Sequence, residues 1–129
     1  MKKKDTYFVV GISTEVGKTI VSAILTEALE ADYWKPIQSG DLENSDTDKV
    51  RRLISNTRTV FHPNSYALHT PASPHLSAEL DGIRIELSKI EMVRMYCIFV
   101  YHQVYPTRIY QRWQQLRNLK GIILKDNYM

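Results

Sequence analysis

Residues 11–19 read Gly-Ile-Ser-Thr-Glu-Val-Gly-Lys-Thr, directly after the apolar run Tyr7-Phe8-Val9-Val10 and directly before the apolar-periodic stretch from Ile20 to Leu29. A strand that ends in a glycine-bounded turn and feeds a helix N-terminus aims successive backbone N–H groups at one point. There they and the helix dipole favour an anion. From such a loop Lys18 reaches the β and γ phosphates of a nucleotide, and the Thr19 hydroxyl suits Mg²⁺. Counting back from Gly17, the first glycine of the common G-x-x-x-x-G-K-[ST] pattern falls on Ile12, with the glycine one place earlier at Gly11, so the loop is one residue longer than usual. Strand, anion loop and helix in this order predict an α/β, P-loop NTPase-like fold with a mostly parallel, doubly wound sheet.

The periodicities place the remaining segments. Tyr7 to Val10 are apolar or aromatic without alternation, as in a parallel strand covered on both faces. The next segment reads as a helix over 17–29 whose apolar face is Ile20, Ile24, Leu25, Ala28 and Leu29, closed by Ala31-Asp32. Tyr33-Trp34-Lys35 predicts a short second strand, stopped by Pro36, which has no N–H to give. Ligands of open α/β sheets gather at the carboxyl ends of the strands, so the segment from Lys35 to Gly40 is expected beside the phosphate loop. Ser45 is placed to cap a helix over 46–55, with Val50, Leu53 and Ile54 inward and Asp46 in the first turn. Residues 60–76, rich in Pro and His, read as a long loop with a short strand near Tyr66. Short helices are expected over 74–80, capped by Ser73, and over 86–92. Residues 96–101 suit a buried strand and 110–119 a basic helix.

Four motifs agree in order and spacing with one family. These are Gly11 with Thr14-Glu15-Val16-Gly17-Lys18-Thr19, then Lys35-Pro36-Ile37-Gln38-Ser39-Gly40, then Asn44-Ser45-Asp46, then Pro71-Ala72-Ser73-Pro74-His75 with Ser77-Ala78. Over residues 6 to about 91 the chain resembles dethiobiotin synthetase. The resemblance implies an ATP-dependent ring closure in biotin synthesis, in which 7,8-diaminononanoate, CO₂ and MgATP give dethiobiotin, ADP and phosphate. It implies Lys18 and Lys35 as catalytic cations flanking the transferring phosphoryl group, as charge neutralisation of that step requires. It further implies phosphate binding by Glu15, Val16, Gly17, Lys18, Thr19 and Ile20, substrate contacts from Thr14 and Ser39, and Mg²⁺ held by Thr19 and Asp46, whose oxygens suit that hard cation. A homodimer is also implied. The family's third metal ligand is a glutamate in a later glycine-rich segment that has no counterpart after Glu91.

Length and charge bound what this chain holds. At 129 residues it is short for a doubly wound sheet, so the sheet is expected to be incomplete at its C-terminal end. Residues 1–91 carry 11 Lys or Arg against 13 Asp or Glu, a net of −2, whereas residues 92–129 carry 6 against 1, a net of +5. Acidic residues and family pattern stop at the same point. The expected division is therefore a nucleotide- and substrate-binding part over 1–91 and a non-family tail over 92–129, the product of a truncation or frame shift. Cys97 alone forms no intramolecular disulfide, no Cys/His spacing suggests zinc, and no stretch approaches the length of a membrane span. A cytoplasmic protein without membrane or nucleic-acid partners is expected. Arg108, Arg112, Arg117 and Lys120 around Trp113 form only a weak nucleic-acid footprint. His69 and His75, flanked by prolines, read as structural or solvent-facing. Beside the ligase reading stand an inactive fragment with weak nucleotide binding and a partitioning-type P-loop ATPase. The latter carries a further lysine early in its loop, where this chain has Ile12, Ser13 and Thr14.

Overall fold

The apolar run at the N-terminus forms the strand β1, Tyr7–Gly11, and both Phe8 and Val9 are buried. Successive residues of a strand face opposite sides, so burial of both means that each face of the sheet is covered here. The computed structural model describes residues 6–11, 17–90, 97–101 and 120–124. After the loop comes α1, Lys18–Leu29, then β2, Asp32–Trp34, and β3, Ile37–Ser39. The helix α2, Asp46–Leu53, is followed by β4, Phe61–His62, β5, Tyr66–Leu68, and α3, Pro74–Leu80. Two more strands follow, β6, Cys97–Tyr101, and β7, Lys120–Leu124.

The main sheet has the order β4-β2-β6-β1-β7, and every pairing in it is parallel. β6 lies between the two strands that carry the motifs. It pairs Tyr7 with Ile98 and Val10 with Tyr101 on one side, and Asp32 with Cys97 and Trp34 with Phe99 on the other. β7 covers the opposite flank of β1, from Tyr7 beside Lys120 to Gly11 beside Leu124. The main sheet thus reaches five strands because residues beyond 91 contribute two of them. β3 and β5 form a second, two-stranded parallel sheet in which Ile37 faces Tyr66 and Ser39 faces Leu68.

The core gathers Val9, Ala23, Ala31, Tyr33 and Val50, with Tyr7, Leu25, Leu29, Ile54 and Phe61 packed around them. The Tyr33 and Phe61 rings meet at 5.8 Å between centroids, tilted by 51°, a favourable aromatic arrangement.

The inward face of α1 differs from the expected one. Its buried residues are Lys18, Ser22, Ala23 and Thr26, whereas Ile20 and Ile24 are exposed, Ile24 by 61%. The row Lys18, Ser22, Thr26 follows the i, i+4 ridge of the helix, which packs on β1 and β6. Ser22 returns its hydroxyl to the Lys18 carbonyl, which removes the cost of burying it. Leu53, expected inward, is 55% exposed, while Val50 on the same helix is fully buried. α2 ends at Leu53, so the final-turn side chain points off the core.

Other boundaries moved as well. α1 closes on Glu30 in a left-handed conformation, and Asp32 already belongs to β2. β3 and β4 occupy stretches read as motif and loop. Ser73 makes no side-chain cap on α3, since its hydroxyl lies 3.5 Å from His75 Nε2 instead. The helix expected over 86–92 is, among the described residues, a single 3₁₀ turn at Leu87–Lys89. The basic helix expected over 110–119 lies outside the described residues.

Candidate functional site

In a parallel sheet each helix that follows a strand begins at that strand's carboxyl end. The first turn of α1, after β1, and the first turn of α2, after β2 and β3, therefore open on the same edge, and the two helices pack against one another. Gly17, with φ of +85°, leads the chain into α1 through the left-handed region, where any Cβ is strained. Lys18 follows as the first helical residue and is 5% exposed. Thr19 is half-buried and Ile20 exposed. Thr14, Glu15 and Val16 lie outside the described residues.

Lys35 follows β2 directly and is among the most buried charged residues, its side chain 3% exposed. Its ammonium group donates to Asp46 Oδ2, and Asp46 is 22% exposed. A buried ammonium without a counter-charge is expensive, so this pairing is what permits Lys35 to stay inside. Lys49 Nζ stands 3.9 Å from the other carboxylate oxygen of Asp46 and 3.1 Å from Asp41 Oδ2. The Asp46 carboxyl thus lies between two lysines at the start of a helix, where the dipole favours negative charge.

The helix start itself is built by Ser45. Its hydroxyl accepts from Asp48 N at 3.2 Å, while Ser45 N donates to Asp48 Oδ2 at 3.0 Å, a reciprocal capping box. The Ser45 hydroxyl also holds the Asp48 carboxyl below its ordinary value. The expected cap at Ser45 is therefore observed, with Asp48 as its partner.

The Lys35–Gly40 segment is pinned from two directions. Asn64 Nδ2 donates to the Lys35 carbonyl at 2.6 Å, and the Pro36 carbonyl accepts from Ser65 N at 2.7 Å and Tyr66 N at 3.0 Å. Trp34 Nε1 donates to the Pro63 carbonyl at 3.0 Å. Gln38, almost fully buried, donates through Nε2 to the Gly40 carbonyl at 2.9 Å and accepts from Asp46 N at 3.4 Å. Gly40 has φ of +72°, and a Cβ there would fall 2.6 Å from Pro71 Cβ, so only glycine lets the segment meet the Pro71 loop. The hydroxyls of Ser39 and Thr47 are buried with no hydrogen-bond partner among the described residues.

Neither Gln38 nor Asn64 carries a role in the sequence reading. For Gln38 a signal existed, because a primary amide inside a strand must find partners when it is buried. For Asn64 none did, since its partner lies 29 residues away. His69 and His75 are exposed, in keeping with their expected structural or solvent-facing role. His62, which the sequence did not single out, pairs with Asp32 through Nε2 and Oδ2 at 2.9 Å. Among the described residues no group of three His, Cys, Asp or Glu converges on a metal position, and no helix is long and apolar enough to cross a membrane. A magnesium site remains compatible with the donors present. That ion commonly takes one or two carboxylates, keeps several waters and shares the rest with phosphate oxygens, and Thr19 with Asp46 is an all-oxygen pair containing one carboxyl group.

A family model described as an AAA domain matches residues 5–100. The chain is 62% identical over 85 residues to the ATP-dependent dethiobiotin synthetase of Christiangramia forsetii, an alignment covering 66% of this chain and 41% of that protein. It is 49% identical over 92 residues to the enzyme of the same name from Cytophaga hutchinsonii, covering 71% and 43%, respectively. It is 56% identical over 82 residues to that of Chlamydia pneumoniae, covering 64% and 36%. The chain spans about two fifths of the length of these curated relatives.

Proposed function

The chain belongs to the AAA domain family, and from that premise we propose that it derives from a dethiobiotin synthetase and carries the phosphate-handling half of that enzyme's site. The observation that supports this reading is the burial of two lysines, one in the first turn of α1 after β1 and one at the end of β2, the second held against Asp46.

In the proposed reaction one amine of 7,8-diaminononanoate takes up CO₂ as a carbamate. A carbamate oxygen attacks the γ-phosphorus of ATP and ADP leaves. The second amine then attacks the carbonyl carbon of the mixed anhydride, closes the ureido ring and expels phosphate. Negative charge builds on the transferring phosphoryl group, and Lys18 from the first turn of α1 and Lys35 from the end of β2 supply positive charge with little reorganisation, because burial already fixes both. Backbone N–H groups of residues 15–20 bind the phosphates. Thr14 and Ser39 contact the carbamate, and the buried hydroxyl of Ser39, which has no partner among the described residues, supports that role for Ser39. Thr19 and Asp46 would hold Mg²⁺, which when bound neutralises phosphate charge. Asp46 must then share its carboxylate between that ion and Lys35.

The second reading, a fragment that binds nucleotide without turnover, is favoured by one observation, the coverage of about two fifths of each relative. In that reading residues 92–129 are a non-family tail. We infer a cytoplasmic location and, by likeness to the family, a homodimer. The separating experiment measures ADP release by the purified chain with and without the diamine and bicarbonate, alongside calorimetric binding of MgATP. Release that depends on both substrates supports the ligase. Binding without turnover supports the fragment, and absence of binding by folded protein removes both.

A further inference from the structure

Gln38 ties the second motif to the start of α2. Its amide nitrogen donates to the Gly40 carbonyl at 2.9 Å, and its amide oxygen accepts from the backbone N–H of Asp46 at 3.4 Å. That N–H is one of the first-turn donors for which a helix has no internal partner. Ser45 and Asp48 serve each other in the capping box, which leaves the Asp46 N–H to a side chain from outside the helix. Gln38 is 4% exposed and so has no freedom to drift, and its anchor at Gly40 is itself fixed by the close approach of Pro71.

The consequence falls on Asp46, whose carboxylate has Lys35 and Lys49 in reach among the described residues. Lys35 donates to it from within the protein, while Lys49, side chain 36% exposed and already 3.1 Å from Asp41, draws on it from the surface. A small rotation of the first turn of α2 would move the carboxylate toward Lys49 and strand Lys35. We propose that Gln38 is a positioning residue that fixes the first turn of α2 so that Asp46 engages Lys35, and thereby presents both groups at the phosphate edge. The link to phosphate and metal rests on the functional reading above, whereas the placement of Asp46 against Lys35 does not.

Two measurements on the full chain test this. The first is a double-mutant cycle by urea unfolding, in which the coupling between Lys35→Met and Asp46→Leu is measured with Gln38 present and again with Gln38→Ala. Each single variant leaves one charge of the pair behind and the double variant leaves none, so the cycle reads the interaction itself. Gln38→Ala is expected to reduce the coupling, read from the unfolding midpoints, by at least half. Gln38→Met, which keeps the volume but offers no acceptor to Asp46 N, is expected to lower the coupling as far as Gln38→Ala, and a parent-like coupling in Gln38→Met overturns the proposal. An unchanged coupling overturns the proposal whatever the ligand data show.

The second measurement is calorimetric affinity for ADP with and without Mg²⁺. The expected result for Gln38→Ala is an approximately tenfold loss with Mg²⁺ and none without it, because only the metal-dependent part runs through Asp46. Equal loss in both conditions assigns Gln38 a general structural role and overturns the proposal. If the parent chain binds no ADP while the coupling still falls, the functional reading fails and the positioning role stands.

Discussion

Replacing Asp46 with Ala is expected to do more harm to folding than replacing Lys35, although the two residues form one pair. Asp46→Ala leaves the Lys35 ammonium in a site where its side chain is 3% exposed. Removing one partner of a buried pair costs about 3–5 kcal/mol, and the first-turn carboxylate contributes about 0.3–1 kcal/mol through the helix dipole. Asp46 itself is 22% exposed, so water enters the space it vacates and the cost settles near the lower bound, about 3 kcal/mol. Lys35→Met instead leaves a partly exposed carboxylate that Lys49, 3.9 Å away, can take up, for a loss of about 1–2 kcal/mol. The double variant Lys35→Met/Asp46→Leu removes both charges and should lie within about 1 kcal/mol of the parent. Equilibrium urea unfolding reads all three. With a slope of about 2 kcal/mol per molar, Asp46→Ala moves the midpoint down by about 1.5 M. An Asp46→Ala midpoint within about 0.3 M of the parent, or a double variant as unstable as Asp46→Ala, would refute the view that this pair is a buried charge held by its partner.

Gly40→Ala should lose about 2–3 kcal/mol, since it combines left-handed strain with a 2.6 Å contact to Pro71, whereas Gly17→Ala, with nothing among the described residues within 4 Å, should lose only the strain, about 1 kcal/mol; thermal unfolding of the pair checks the difference. On α1 and α2 the exposed Ile24→Ser should stay within about 0.5 kcal/mol of the parent, while Val50→Ala, from full burial, should cost about 2 kcal/mol in the same assay. Acidification should destabilise the chain. Hydrogen bonds from the Ser55 hydroxyl, then from Asn56, hold Glu27 down from 4.5 to about 2, and hydrogen bonds from Ser45 and from Thr70 lower Asp48 and Asp81. A carboxyl whose folded value is depressed adds stability above its unfolded value and loses it as pH falls toward the folded one. The urea midpoint should therefore drop between about pH 4.5 and 2, and Glu27→Gln should flatten that drop; a parent-like slope in Glu27→Gln would contradict the assignment.

Local patterns were legible wherever a segment answers to its own neighbours. The strand Tyr7–Gly11, the helix beginning at Lys18, the Ser45 cap and the helix opened by Pro74 all follow from features within a few residues of each element. The motif reading also picked out Lys35 and Asp46. It could not show that they bind one another, because the distance between them depends on where α2 sits against β2. The α1 face was misread for a related reason. Periodicity marks Ile20 and Ile24 as inward, yet the helix buries its polar row Lys18, Ser22 and Thr26 together with Ala23. Hydrophobicity of a row is a weaker guide than closeness of approach when a short loop ties the helix to its strand.

The amino-acid sequence by itself determined that this chain would place a glycine-bounded anion loop between a buried strand and a helix, because φ/ψ preference, capping and apolar periodicity act over a turn or two of chain. Only the tertiary structure decided that β6 enters between β1 and β2, that Ile37–Ser39 leaves the main sheet to pair with Tyr66–Leu68, and that Lys35, Gln38 and Asp46 form one connected unit. Those outcomes depend on strand register and side-chain contacts between segments far apart in the chain. Such contacts form only when all the packed surfaces are satisfied together.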